Sequence, residues 1–190
     1  MNEPRKVSIL YGKQIYLRPA VPNDLDDYYA YLCDAEVGKF TGTQQTFTKE
    51  ETARWLEKIS TPDESRVDLM IITRDTDELI GEVVLTDIDP LNRSANIRIG
   101  ITGGANRGKG YGTEALLLML WHAFETLHLH RVELGVYDFN GRAIHVYEKI
   151  GFQREGVQRD LLFLNGEYHD CILMSMLEHE YREMYMRDHV

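Results

Sequence analysis

Residues 107–112 read Arg107-Gly108-Lys109-Gly110-Tyr111-Gly112. The run before them, Ser94-Ala95-Asn96-Ile97-Arg98-Ile99-Gly100-Ile101, has the composition of a β-strand. After them comes an amphipathic stretch, Thr113 to Leu127, in which Ala115, Met119, Leu120, Ala123, Phe124 and Leu127 recur at helical spacing. Strand, glycine-rich turn and helix start, in that order, gather backbone N–H groups where the helix dipole favours an anion. Glycine lets a diphosphate touch the backbone and tolerates left-handed conformations. Arg107 and Lys109 add positive charge. The pattern predicts a pyrophosphate-bearing cofactor on the amides of Gly108 to Gly112, Tyr111 included, with Thr113 at the helix start.

Two familiar phosphate loops fit less well. The P-loop pattern nearly matches from Gly103 through Gly108-Lys109, but Gly110 stands where a hydroxyl would hold magnesium. The dinucleotide fingerprint would begin at Gly108-Lys109-Gly110, but its third glycine is Thr113. A turn without a ligand is the plain alternative; three alternating glycines flanked by two cations exceed what a turn requires.

The chain has 190 residues, a length that fits one domain with a core of useful size. Its formal net charge of −10 argues against general nucleic-acid binding, which favours basic faces. A cationic substrate is compatible with that charge, and so is simple solubility. Cys33 and Cys171 stand far apart and offer neither a disulfide framework nor a zinc spacing, so a reducing cytoplasm is the expected location. Met1 to Lys6 lacks an apolar signal core, and no apolar run approaches the roughly 20 residues of a membrane span. His122, His128 and His130 match no standard zinc pattern, so no metal is expected and packing or surface roles are.

Along the chain, Ile15–Pro19 reads as a first strand. Asn23 or Asp24 caps a helix running to about Cys33. Residues 34–46 read as a loop. Thr48-Lys49-Glu50-Glu51 has the form of a capping box and opens a helix that Thr61-Pro62 stops. Asp68–Thr73 and Leu79–Thr86 are apolar strands, and Arg131–Tyr137 is another. Asn140–Ile150 is a helix closed by Gly151. Phe152–Phe163 and Tyr168–Leu177 form a hairpin around Asn165-Gly166. A charged tail, expected to be helical, begins near Glu178. The whole is one mixed α/β domain over 1–190, with a core of about 14–178, a tail of 179–190, about seven strands and about four helices.

Ile97–Phe152 resembles the GCN5-related N-acetyltransferase (GNAT) superfamily. Arg107, Gly110 and Gly112 match its R/Q-x-x-G-x-G/A motif, and Asn140-Gly141-Arg142-Ala143-Ile144-His145-Val146-Tyr147-Glu148-Lys149-Ile150-Gly151-Phe152 matches every fixed position of its N-x-x-A-x-x-x-Y-x-x-x-G-F segment. Ile15 to Ala20 resembles the family's first strand. Leu164 to Asp170 and Met174 to Leu177 resemble the subgroup that contains ribosomal-protein N-terminal and spermidine acetyltransferases.

The resemblance implies an α+β domain with a mixed, mostly antiparallel twisted sheet. It implies an acyltransferase in which an amine attacks the thioester of acetyl-CoA directly. Arg107 and Lys109 would pair with phosphate oxygens, although Lys109 also reads as a solvated surface residue. The pantetheine arm would lie along the Asn96–Ile101 strand, with Ile99 and Ile101 supplying backbone groups, an amide near Ile99 polarising the thioester, and Asn140 and Ala143 contributing from their helix. Asn140 also reads as a plain helix cap. Tyr147 would donate a proton to the departing thiolate; a packed helix aromatic is its alternative.

The general base is less determined. Relatives often carry a glutamate in the fourth strand, where Asn96 stands here and cannot take a proton. Glu82 and Glu133 are the candidates on neighbouring strands, with Asp87 and a water chain as alternatives. Tyr28, Tyr29 and Tyr31, with Asp26, Asp27, Asp34 and Glu36, are expected near an acceptor site for a cationic amine; an acidic solvent face is their alternative. The acceptor is expected to be a small amine such as a polyamine, or else a protein N-terminus, with no nucleic acid or membrane partner and with a homodimer through the C-terminal strands. A non-catalytic acyl-CoA sensor is the rival of another class.

Overall fold

The computed structural model describes residues 8–61 and 63–186. Among them eight strands and six α-helices form: β1 Leu10–Tyr11, β2 Ile15–Arg18, α1 Leu25–Leu32, α2 Ala35–Thr41, α3 Lys49–Ile59, β3 Val67–Thr73, β4 Leu79–Asp89, β5 Ser94–Ile101, α4 Tyr111–Trp121, β6 Arg131–Tyr137, α5 Gly141–Lys149, β7 Gln153–Leu164, β8 Glu167–Leu177 and α6 Glu178–Tyr185. The sheet order is β1-β2-β3-β4-β5-β6-β8-β7. Pairing is antiparallel for β1–β2, β2–β3, β3–β4, β6–β8 and β7–β8, and parallel for β5–β6. The α/β class and mostly antiparallel sheet agree with expectation.

The counts exceed the expected seven strands and four helices. Strand β1 is two residues long, too short for a periodic signal. Helix α2 occupies a segment read as loop. Its signals are terminal rather than periodic: Asp34 Oδ1 accepts from the Glu36 and Val37 amides, and Gly42 takes the left-handed conformation at φ 71°. Helix α6 bears out the helical reading of the tail. Pro62 and residues 187–190 lie outside the described residues, as does the N-terminal segment searched for a signal.

The chain divides into two compact units. The first holds the described residues up to Thr86 together with Arg98–Met119. Every residue of β3 is buried, as expected of a strand covered on both faces. Met70 and Ile72 on one of those faces pack with Tyr28, Tyr31, Val37, Leu56 and Ile59 of α1, α2 and α3. Asp68 has the same parity along the strand and so faces the same helices. The β3–β4 register sets Asp68 opposite Val84 and Met70 opposite Glu82. A carboxylate on each strand is thereby carried to the helix-covered face.

The second unit holds Asp87–Ile97 and the described residues from Leu120. In β6, Val132, Leu134 and Val136 are buried and alternate with more exposed positions. Phe124 is fully buried and its ring lies 4.9 Å from that of Tyr181 in α6. Between α4 and β6 the chain tightens into a π-turn, where the Leu127 amide donates to the His122 carbonyl at 2.9 Å. Asn165 and Gly166 carry φ of 53° and 88°, the left-handed pair a two-residue hairpin turn needs.

Candidate functional site

The glycine loop lies in the first unit. Gly108 and Gly110 have φ of 79° and 90°, the region in which a Cβ is strained. A Cβ on Gly108 would meet no atom within 4 Å, so the backbone is open on that side. Helix α4 starts at Tyr111, two residues before the expected Thr113. The Glu114 amide, donating to the Gly110 carbonyl at 3.0 Å, is the fourth of the helix. The amides of Tyr111, Gly112 and Thr113 therefore precede the first intrahelical acceptor, as an anion-binding helix start requires. A Cβ on Gly112 would lie 3.3 Å from Ile101 and 4.0 Å from Ile99, which brings those three positions together.

The loop is anchored by side chains from α2. Asp34 caps α2 with one oxygen and accepts the Gly103 amide with the other at 2.8 Å. These amides hold its carboxyl below the usual aspartate range, against the opposing effect of burial. Arg107 pairs with Glu36 at 2.8 Å and lies over the Phe40 ring. Lys109 is exposed, with its ammonium 5.7 Å from the Tyr111 ring centroid. The donors, open backbone and two cations fit a diphosphate. Gly110→Ala is expected to strain the loop by about 1–2 kcal/mol and weaken acetyl-CoA binding roughly tenfold in a fluorescence titration; unchanged affinity would remove the loop from the site.

A cavity of about 380 Å³, also within the first unit, opens beside this loop's supporting helices. Glu82 is among its lining residues. The Tyr28 hydroxyl donates to Glu82 Oε2 at 2.8 Å, the Tyr31 hydroxyl to Oε1 at 3.4 Å, and the Trp55 indole N–H to the Tyr28 hydroxyl at 3.3 Å. Burial raises the Glu82 carboxyl above the ordinary glutamate range, and the two hydroxyls only partly offset it. Burial and the adjacent carboxylate raise both tyrosines, so each stays a donor. A Cβ on Gly100 would overlap the Tyr31 hydroxyl, so glycine there lets Tyr31 reach the carboxylate.

The other lining carboxylates are Asp68 and Glu51. Arg66 grips Asp68 with two hydrogen bonds, at 2.5 and 2.6 Å, and stacks over Trp55 with 4.8 Å between Cζ and the centroid. Glu51 is tied to the Thr48 backbone by its capping box. Asp26, Asp27, Asp34 and Glu36, expected around the acceptor, do not line this cavity: Asp26 and Asp27 are exposed on α1, Asp34 caps α2 and Glu36 pairs with Arg107. Tyr28 and Tyr31 face inward and Tyr29 does not line the cavity. Arg66, Asp68, Arg98 and Trp55 were not singled out by sequence. Asp68 left a signal, a lone charge inside the apolar run Val67–Thr73.

The remaining candidates belong to the second unit. Asn140 caps α5, its Oδ1 accepting the Ala143 amide at 3.2 Å. Tyr147 on α5 meets Phe152 edge-on at 5.9 Å, and burial pushes its phenol up to about 12. Among the described residues the β5–β6 register covers Ser94–Asn96 against Arg131–Glu133. Glu133 is exposed and paired with Arg131 at 2.9 Å. Arg131 also binds Glu155, whose carboxyl is held at about 2 by that guanidinium and the Ser175 hydroxyl. Glu133 thus sits in a surface ion network, and Glu82 in an enclosed polar one. Among the described residues no helix is long and apolar enough to cross a membrane.

Comparison with known proteins gives a consistent set of matches. Residues 14–153 match the family model of the acetyltransferase (GNAT) domain. An uncharacterised N-acetyltransferase of Bacillus licheniformis is 32% identical over 177 residues, covering 90% of this chain and 97% of that protein. The spermidine N(1)-acetyltransferase of Escherichia coli is 36% identical over 104 residues, a match spanning 55% of each chain. The crystal structure of spermidine N-acetyltransferase from Vibrio cholerae in complex with CoA and spermine superposes with a TM-score of 0.81 at 27% identity, covering 88% of this chain and 98% of that one.

Proposed function

As the chain belongs to the acetyltransferase (GNAT) family and is an acyltransferase, we propose that it transfers the acetyl group of acetyl-CoA to a small primary amine received in the Glu82 cavity. The observation that carries this reading is the Glu82 carboxylate, enclosed by Tyr28 and Tyr31 with its pKa raised towards the working range of a general base. Acetyl-CoA, when bound, supplies an activated acyl group on a thiolate leaving group. The Gly108–Thr113 amides and Arg107 bind its diphosphate, with Lys109 adding charge at the rim; Asn140, Ala143, Ile99 and Ile101 serve the pantetheine arm.

The acceptor enters as its ammonium, attracted by the Glu82 charge. Glu82 takes one proton, which frees the nitrogen lone pair for attack on the thioester carbon. As the C–N bond forms and the C–S bond breaks, the nitrogen sheds its second proton to water, and Tyr147 gives its phenolic proton to the departing sulfur and is reprotonated from solvent. Glu133, held by Arg131, is the weaker candidate for the base. The polyamines named for the relatives fall within this acceptor class, and a peptide N-terminus is its larger alternative. We further propose a homodimer through the β7–β8 hairpin, where Val157, Leu161, Phe163 and Tyr168 are each more than half exposed.

Release of free CoA thiol from acetyl-CoA, measured against polyamines, amino acids, aminoglycosides and short peptides, tests the reading. Turnover with a small amine is the expected result. Acetyl-CoA binding without turnover on any acceptor would favour the sensor role, and no binding would overturn the cofactor assignment.

A further inference from the structure

The charges around the cavity are unevenly committed. Asp68 is neutralised by the two-pronged grip of Arg66, and Arg66 is itself fixed over the Trp55 ring. Glu51 serves the start of α3. Two charged groups form neither a salt bridge nor a backbone hydrogen bond with the described residues: the Glu82 carboxylate, hydrogen-bonded by the tyrosine hydroxyls, and the Arg98 guanidinium, whose charge partly offsets the desolvation of Glu82. Arg98 lines the cavity from β5, on the face it shares with Gly100 and therefore with Tyr31. It makes no hydrogen bond or ion pair with another described residue, and it does not pair with Glu82.

A carboxylate and a guanidinium that line one cavity without forming a salt bridge complement a ligand carrying one charge of each sign. The planar guanidinium fork matches a carboxylate in two parallel hydrogen bonds. A polyamine fits this arrangement poorly. Its first ammonium suits Glu82, but a further ammonium near Arg98 meets like charge, and the other two acids of the lining are engaged, Asp68 by Arg66 and Glu51 by the Thr48 amide. The aromatic lining of Trp55, Tyr28 and Phe47 suits an apolar body between the two charged ends.

Resting on the acyl-transfer reading above, we infer that the acceptor is an amino acid-like zwitterion, its amine received at Glu82 and its carboxylate at Arg98. Arg98 is then a specificity-determining residue for the acceptor, and the amide product keeps the carboxylate while losing the positive charge.

The experiment compares thiol release with the twenty common amino acids, their methyl esters, and spermidine and putrescine as amines without an anion, on the wild type and on Arg98→Gln. Arg98 forms no salt bridge or hydrogen bond with another described residue, so the variant is expected to fold, and circular dichroism checks it. At least one free amino acid is expected to exceed its ester in kcat/KM by roughly 10- to 100-fold, the worth of a charge-assisted hydrogen-bonded pair. In Arg98→Gln that ratio should collapse to about one, mainly through KM, and Arg98→Lys should restore part of it. Acetylation of the polyamines with no preference for any free acid would overturn the inference and leave the acyl-transfer reading intact. A preference that survives Arg98→Gln would also overturn it. Turnover of no amine at all would overturn both readings together.

Discussion

Glu82→Gln is expected to lower turnover roughly 10²- to 10⁴-fold, the usual contribution of a positioned general base, while leaving acetyl-CoA affinity in place. Glutamine keeps the shape of the side chain and can still accept a hydrogen bond from Tyr28, but it cannot take a proton from the incoming ammonium. Thiol release measured from pH 5 to 9 should show a wild-type rate that falls on the acid side as Glu82 becomes protonated, and a variant without that limb. A variant with wild-type turnover would exclude Glu82 as the base and return attention to Glu133 or a water chain.

The same substitution should raise stability, because the enclosed carboxylate is costly to keep charged. Burial lifts its pKa above the ordinary value of 4.5, so over that window the native chain binds a proton that the unfolded chain has released. Stability contributed by this group is therefore lost as pH rises through the window, and the loss persists above it. A neutral glutamine escapes it. Glu82→Gln should unfold at a higher temperature than the wild type at pH 8, with the gap closing as the pH is lowered towards 4.5. Equal melting at pH 8 would mean that the tyrosine hydrogen bonds offset the desolvation in full.

Tyr147→Phe carries the second large effect. Its phenol, pushed up to about 12 by burial, stays protonated throughout the neutral range and so remains an acid. A thiol with pKa ~8.5 is a tolerable leaving group, and loss of the donor should cost roughly 10²- to 10³-fold in kcat. The ring keeps its edge contact with Phe152, so thermal unfolding and acetyl-CoA binding should stay at wild-type values. Unchanged kcat would make Tyr147 a packing residue and strengthen the sensor reading. Lost binding with unchanged folding would instead assign the hydroxyl to cofactor contact.

Features that depend on neighbouring residues were legible in the sequence. The glycine loop, the Asn140 cap, the Thr48 capping box and the Asn165-Gly166 hairpin each rest on backbone preferences within a few positions, and each forms where it was read. Helix α2 escaped because it spans seven residues with Gly38 inside, and only its Asp34 cap and Gly42 stop mark it. For the acids of α1 the sequence left two readings open, a lining of the acceptor site and an acidic solvent face; Asp26 and Asp27 are exposed and do not line the cavity.

By itself, the sequence determined the family, the glycine loop and the helix bearing Tyr147, because contiguous residues specify turns, caps and periodic faces. Tertiary structure alone decided which carboxylate is enclosed. Glu82 and Glu133 read alike on neighbouring strands, yet one receives hydroxyls from a helix 54 and 51 positions earlier and the other pairs at the surface with Arg131. The same holds for the commitment of Arg66 to Asp68 and the place of Arg98 in the cavity lining. Charge in a sequence is a count, whereas the free energy of a charge depends on burial and on partners that only the folded chain supplies.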